Sequence, residues 1–376
     1  MKISLVSSAH KFNDDRLFYH FAKTLNERGH TIEIITDDQE INTNIDSISI
    51  SSFNGNQYSR KEKISIYTEK LNLFKPDIVI CLEPIPIIAA KNYSKKNKTK
   101  IVYDITEWYP SKRNLRNHAI ILRPLYFILY FSLYLYACYI TDSFIFGEYY
   151  KGLLPKFLFQ NKPNTIISYY PKKEYLPKSV PQLKKNKINL CYSGNLGNDG
   201  GIKDFFNVID ELILSKENLN INIKFIGNIN PKDEELLQEK IKNYSDNIKF
   251  HFYDFQEFLD FIELIKDVDV FLDLRKLDLE NNHSLPIKLF YFMALGKPVI
   301  YSNLKAIKRE IEIDTFGHLV NPKNSNHIAN LILNYQINPN LYLSHCSKAR
   351  DLFEQKYNWD LLNNKFNLYI ESLTKK

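Results

Sequence analysis

The stretch KISLVSSAHKFNDDRLFYHFAKTLNERGHTIEIIT, residues 2–36, reads as strand, helix, strand. Its ends are short β-branched runs. Between them, DRLFYHFAKTLNERGH has the spacing of an amphipathic helix and ends on Gly29, a natural helix exit. Two such strands joined through a helix are parallel neighbours. The same alternation returns in PDIVICLE (76–83) and KIVYDITE (100–107), so the N-terminal part is expected to be a parallel sheet with helices on its faces.

The pattern breaks at YYPKKEYLPKSVPQLKKNK (169–187), where prolines and lysines concentrate, and then resumes. INLCYSG, DFFNVIDELIL, INIKFIGN, NIKFHFYD, FQEFLDFIELIKD, VDVFLDL, KPVIYS and GHLVNP form a second alternating series. The expected architecture is α/β, with two Rossmann-like doubly wound domains and an interdomain cleft. The boundaries are 1–168, a linker over 169–187, a second domain over 188–355, and a C-terminal helix in 356–376 packing back toward the first domain.

A chain of 376 residues with 44% hydrophobic content suits two globular cores. The formal net charge of +7 is local, concentrated in the linker and in SKRNLRNH (111–118). No nucleic-acid module accompanies it, so phosphate ligands or anionic lipid are the expected anionic partners and nucleic acid is not. Cys81, Cys138, Cys191 and Cys346 form no C-x-x-C pair, which argues against a zinc knuckle or a disulfide framework. MKISLVSSAH reads as a first strand and not as a signal peptide, so a cytoplasmic protein is expected.

PLYFILYFSLYLYACYIT (124–141) is an uncharged run of eighteen residues. Tyr126, Tyr130 and Tyr134 recur every fourth residue and make a hydroxyl-bearing stripe. With Lys112, Arg113 and Arg116 just before it, such a helix suits the plane of an anionic membrane surface. Burial against the sheet is the alternative.

In NHSLPIKLFYFMALGKPVI (282–300), Pro286 and Gly296 delimit a short helix with Lys288 in its first turn. The helix dipole disfavours a cation at that end, and a bound anion resolves the conflict. A surface lysine is the plainer alternative.

LPIKLFYFMALGKPVI and the later GHLVNP resemble the donor-binding half of family 4 glycosyltransferases of GT-B fold. HKFNDDRLFYHFAKTLNERGH is similar to the start of members that build bacterial surface polysaccharides. VYDITEWYP looks like their Asp-x-His-Glu segment, and CYSGNLGNDGGIKDFFNVI like the glycine loop and helix opening their second domain. The resemblance implies transfer from a nucleotide sugar, UDP- or GDP-linked, to a lipid-linked or glycan acceptor, with retained configuration and with neither metal nor cofactor.

It also implies roles. Lys288 and Arg275 would stabilise the departing diphosphate, and Glu107 would act with them in catalysis. Gly194, Asn195, Gly197, Lys203, Glu280, His283, Ser284, Leu285, Pro286 and Tyr291 would line the donor site. His10, Asp15, Arg16 and Thr106 would face the acceptor. An Asp-Arg pair capping the first helix is the alternative for Asp15 and Arg16.

The chain departs from the family in three places. His283 and Tyr291 stand where a pair of glutamates usually contacts the donor, with Glu280 nearby. Asn195 and Gly200 occupy the usual Arg and Lys positions of the loop, and Thr106 replaces the His. These departures keep two alternatives open: a degenerate GT-B chain that binds or scaffolds another transferase, and a sugar-nucleotide epimerase of the same fold.

Overall fold

The computed structural model describes residues 1–177, 183–194, 196–197, 200–216, 218–229 and 231–374. The chain divides into two compact units, Met1–Tyr169 with Trp359–Lys376, and Tyr170–Asn358.

Among the described residues, the first unit has eight strands: β1 (Lys2–Ser7), β2 (Thr31–Thr36), β3 (Ile41–Ile45), β4 (Ile48–Ser52), β5 (Ile78–Cys81), β6 (Lys100–Ile105), β7 (Ser143–Phe146) and β8 (Asn164–Ile166). They lie in the order β3-β4-β2-β1-β5-β6-β7-β8, all parallel except the β3/β4 pairing. Successive side chains point to opposite faces, so Ile3, Leu5, Ile78 and Ile80 enter one core while Val6, Val79 and Cys81 enter the other. Both faces are covered, and the inner strands are therefore almost wholly apolar. The helix Trp359–Ser372 completes the first core: Trp359, Phe366 and Ile370 are fully buried, and the Trp359 indole N–H donates to Thr24 Oγ1 at 2.8 Å.

In the second unit, β9 (Lys187–Ser193), β10 (Asn220–Ile226), β11 (Ile248–Tyr253), β12 (Val270–Asp273), β13 (Val299–Ser302) and β14 (Gly317–Val320) form a parallel sheet. Its order is β11-β10-β9-β12-β13-β14. Chain direction across the sheet reverses at β1/β5 in the first unit and at β9/β12 in the second. Open α/β sheets bind ligands beyond the strand ends at such points.

The second unit begins before its first strand. Tyr170 packs against Phe290 and Tyr357, with ring centroids 4.7 and 5.6 Å away, and the buried Leu176 offers its carbonyl to Arg350 Nη1 at 2.9 Å. The expected linker therefore includes residues anchored in the second core, which a strand-based boundary omits. Residues 178–182 of that linker lie outside the described residues.

The aromatic helix, Arg123–Ile140, reverses the expected orientation of its tyrosines. Tyr130 and Tyr134 are buried, and Tyr134 joins Ala137 and Cys138 in the core beside β6. Ile128, Leu125 and Leu129 face outward instead. The four-residue spacing marks the inward face, where the large rings pack, and the Tyr130 hydroxyl reaches the His118 ring.

Candidate active site

Chemistry-bearing residues gather at both reversal points. In the second unit, β9 ends at Ser193 and the chain turns at Gly194 with φ of +125°. A Cβ there would stand 3.2 Å from Lys288 Nζ. Gly227, after β10, has φ of +139°, and a Cβ on it would come within 2.0 Å of the Gly194 carbonyl oxygen. Gly201 has φ of +92°, and its Cβ would meet the Leu274 carbonyl oxygen at 2.0 Å. Glycine at these positions lets backbone lie directly on backbone. The helix Ile202–Ser215 then starts at Gly201 without a side-chain cap, its Ile202 N–H donating to the Gly197 carbonyl at 3.4 Å.

Lys288 opens the helix Lys288–Ala294, whose exit at Gly296 has φ of +64°. Burial draws its pKa down to about 8; Asp273 and Cys191 oppose the fall, and Arg275 reinforces it. Among the described residues Lys288 Nζ has no hydrogen-bond or ion-pair partner, and the Phe261 ring centroid is 5.7 Å away. Arg275 is held bidentate by Asp273, the last residue of β12, with Nε donating to Oδ1 at 2.8 Å. Burial works against the Arg275 charge, but Asp273 outweighs it and raises the pKa. Lys288 thus faces the Gly194 turn, and the Arg275–Asp273 pair lies near enough to act on its charge.

In the first unit, Ser7 ends β1 and Glu83 follows β5. Glu83 accepts the Ser8 N–H at 2.6 Å and the Ser7 hydroxyl at 3.0 Å, and lies 3.7 Å from His10 Nε2. His10 Nδ1 hydrogen-bonds Asp14 at 3.0 Å. Burial would discharge the imidazole, but Asp14, then Glu83 and Glu107, outweigh it and raise its pKa to about 10. Burial also lifts the Glu83 carboxyl to about 7, against the lowering pull of His10. Among the described residues, no three His, Cys, Asp or Glu side chains converge as a metal site.

Residues 177–359 match the model of glycosyl transferases group 1. This segment is a group 1 glycosyl transferase domain. The whole chain is similar in fold to sucrose-phosphate synthase of Thermosynechococcus elongatus, at 12% identity, 99% coverage of each chain and a TM-score of 0.75. It is also similar to WaaG, a glycosyltransferase involved in lipopolysaccharide biosynthesis, at 15% identity, coverage of 98% and 99%, and a TM-score of 0.68. HepE of Anabaena, in complex with UDP, aligns at 13% identity over 99% of this chain and 100% of its own, with a TM-score of 0.66. The shared fold is GT-B. No curated protein sequence matches the chain.

Within the glycosyl transferase domain, Lys288, Arg275 and Gly194 come together. Gly197 lies buried in the same loop, its carbonyl accepting from Gly200 and Ile202, while Lys203 is exposed on the following helix. Asn195 lies outside the described residues. Glu280 sits in the short helix Leu279–Asn282, and His283 and Ser284 close its last turn through their N–H groups. Leu285 and Pro286 are buried before Lys288. Tyr291 is buried, with its ring 5.5 Å from Phe258 and 6.0 Å from Phe261.

The acceptor-side expectations divide. His10 is partly exposed at the β1/β5 reversal, Asp15 lies in the first helical turn, and Glu107 is exposed just past β6. Thr106 is buried, and its carbonyl accepts from Lys151, which pairs with Glu148 at 2.8 Å. Arg16 is corrected. It is 1% exposed, donates to both Asp104 oxygens at 2.6 and 2.7 Å and to the Ile167 carbonyl at 3.0 Å, and lies over Phe21 and Tyr169. With its donors committed inside the core, it is a tie within the first unit and not an acceptor contact.

Glu83, Asp14, Asp273 and Gly227 were missed in the sequence. Each had a signal: Glu83, Asp273 and Gly227 directly follow or end apolar strand runs, where ligand-facing loops of parallel sheets begin. Asp14 has the side-chain type of an N-cap, and it accepts the Arg16 and Leu17 N–H groups.

Proposed function

We propose that the protein is a glycosyltransferase that moves a sugar from a UDP- or GDP-linked donor to a lipid-linked or glycan acceptor of the cell envelope, in the cytoplasm. The observation that carries this reading is the unpartnered Lys288 ammonium held against the Gly194 turn beside Arg275. Their charges suit a diphosphate whose negative charge grows as the bond from the anomeric carbon to its oxygen breaks. The acceptor oxygen then bonds to the anomeric carbon on the face from which the phosphate departs, its proton passing to the departing phosphate oxygen, and this same-face entry gives retention. Lys288, with the Arg275–Asp273 pair near it, supplies positive charge of the kind a divalent metal gives elsewhere, and on this reading transfer needs no metal. That HepE was crystallised with UDP supports the donor class.

A panel of nucleotide sugars, scored by thermal shift and then by transfer to undecaprenyl-linked glycans, tests the reading. A true donor at a hundred times its Kd stabilises the fold by about 2.7 kcal/mol. An inverted product, or loss of transfer in chelator, would overturn retention or metal independence. Binding without transfer would favour a scaffold, the alternative suggested by Tyr291 standing in place of a glutamate. Conversion of a nucleotide sugar without acceptor would favour an epimerase.

A further inference from the structure

We propose that Glu83 and His10 together hold the acceptor by a neutral sugar hydroxyl, and that a phosphate is not the group they receive. This deepens the transfer reading, on which it rests, by naming the class of group that accepts the sugar.

Glu83 is set into the first unit by neighbours on β1. It occupies the N-cap position of the helix Pro84–Ser94, yet its side chain makes no cap bond there. The carboxylate turns toward β1 instead. Its Oε2 accepts the Ser8 N–H at 2.6 Å and the Ser8 hydroxyl at 3.4 Å. The Ser7 hydroxyl lies 3.0 Å from Oε1 and 3.1 Å from Oε2, with one proton to share between them. Oε1 therefore keeps capacity for a further donor.

That oxygen faces His10 Nε2 across 3.7 Å, too far for a direct hydrogen bond. The ring is fixed from its other side, where Nδ1 bonds Asp14 at 3.0 Å, and Asp14 is held in turn by the Arg16 and Leu17 N–H groups. One oxygen can stand in the gap at about 2.8 Å from each side. Nε2 of the charged ring offers a proton and Glu83 Oε1 needs one, so the group between them must accept and donate at once. A sugar hydroxyl does both. An ionised phosphate oxygen has no proton to give and would meet the carboxylate directly. Side-chain exposures of 23% for His10 and 13% for Glu83 leave the gap open to a ligand at the β1/β5 reversal.

The surrounding charge makes the same choice. Asp14, Glu83 and Glu107 all act on the His10 cation. Of the basic side chains beside β6, Arg16 is engaged by Asp104, and Lys151 by Glu148 and the Thr106 carbonyl. A phosphate dianion entering here meets like charge, and a neutral sugar brings none.

The test uses the full chain at about pH 8, where Glu83 is ionised and His10 still charged. Saturation-transfer NMR compares methyl glycosides of the neutral hexoses, deoxyhexoses and N-acetylhexosamines with glucose-1-phosphate and a short-chain polyprenyl phosphate. At least one glycoside should bind, about tenfold or more tighter than either phosphate. Glu83→Gln keeps the shape and an accepting oxygen but loses the charge. It should weaken the glycoside about fivefold and bring the phosphates to within about twofold of it, at an unchanged melting temperature. A purely structural Glu83 would leave that ratio where it was. No binding by any glycoside, tighter binding of a phosphate by the wild type, or an unchanged ratio in Glu83→Gln overturns the proposal. UDP and GDP titrations of the same protein separate the two readings. Nucleotide binding with no glycoside bound sinks the hydroxyl site alone, and glycoside binding with neither nucleotide bound sinks the transfer reading instead.

Discussion

Lys288 should make nucleotide binding depend on pH in a way that its replacement abolishes. Burial holds its pKa near 8 in the unliganded protein, against an ordinary 10.5. A diphosphate binds the ammonium form, so affinity should be greatest below pH 8 and fall above it. Between about pH 7.5 and 9 the charged fraction drops from about three-quarters to about one-tenth, so the association constant for UDP or GDP should fall about eightfold. Lys288→Ala removes charge-assisted hydrogen bonds, each about 1.5–3 kcal/mol, and should weaken binding roughly 10- to 150-fold at neutral pH with a flattened profile.

Stability should move the opposite way. The folded pKa lies below the unfolded one, so the unfolded chain binds more protons, and the unliganded fold gains stability as pH rises from about 8 toward 10.5. At neutral pH Lys288→Met should therefore stabilise the empty protein, by about 1 to 3 kcal/mol after allowing for solvent near a partly exposed group. Titration calorimetry and urea unfolding across the same pH range measure both arms. If wild type and Lys288→Ala share one pH profile for UDP and for GDP, the cation does not meet the phosphates and the donor-site assignment fails.

Gly227→Ala should reduce nucleotide affinity and destabilise the second unit by about 1–3 kcal/mol, since the new Cβ would press on the Gly194 carbonyl from a strained backbone; urea unfolding and calorimetry read the two effects. Arg16→Met should leave Asp104 buried and unpaired at a cost of about 3–5 kcal/mol. An unchanged denaturation midpoint with a raised acceptor KM would restore Arg16 to the acceptor surface. His10 should keep a doubly protonated ring from about pH 6 to 9 by nitrogen NMR, and Asp14→Asn should bring its titration toward neutrality. Its folded pKa of about 10 exceeds the ordinary 6.5, so the stability it contributes is complete below pH 6.5 and is lost as pH rises through about 10.

The two-domain α/β architecture was legible because its signals are local. Runs such as ISLV, IEIIT and IVIC mark strands buried on both faces, and the intervening amphipathic stretches can cross over only as helices. Lys288 in a first turn, with Gly296 beyond the last, was equally local, since both follow from where Pro286 and Gly296 stand. Spacing along the chain could not assign partners. Arg16 reads as a surface cation beside Asp15, yet folding β6 beside β5 delivers Asp104 to it and makes it a core residue. The same holds for Tyr130 and Tyr134: their periodicity defines a face, and only packing against the sheet shows that the face points inward. Glu83 and His10 meet because β1 and β5 are adjacent, and Lys288 meets Gly194 beyond the end of β9 beside β12. Sequence determines which segments bury apolar surface, because that depends on neighbours a few residues away; which charge meets which is decided by strand order.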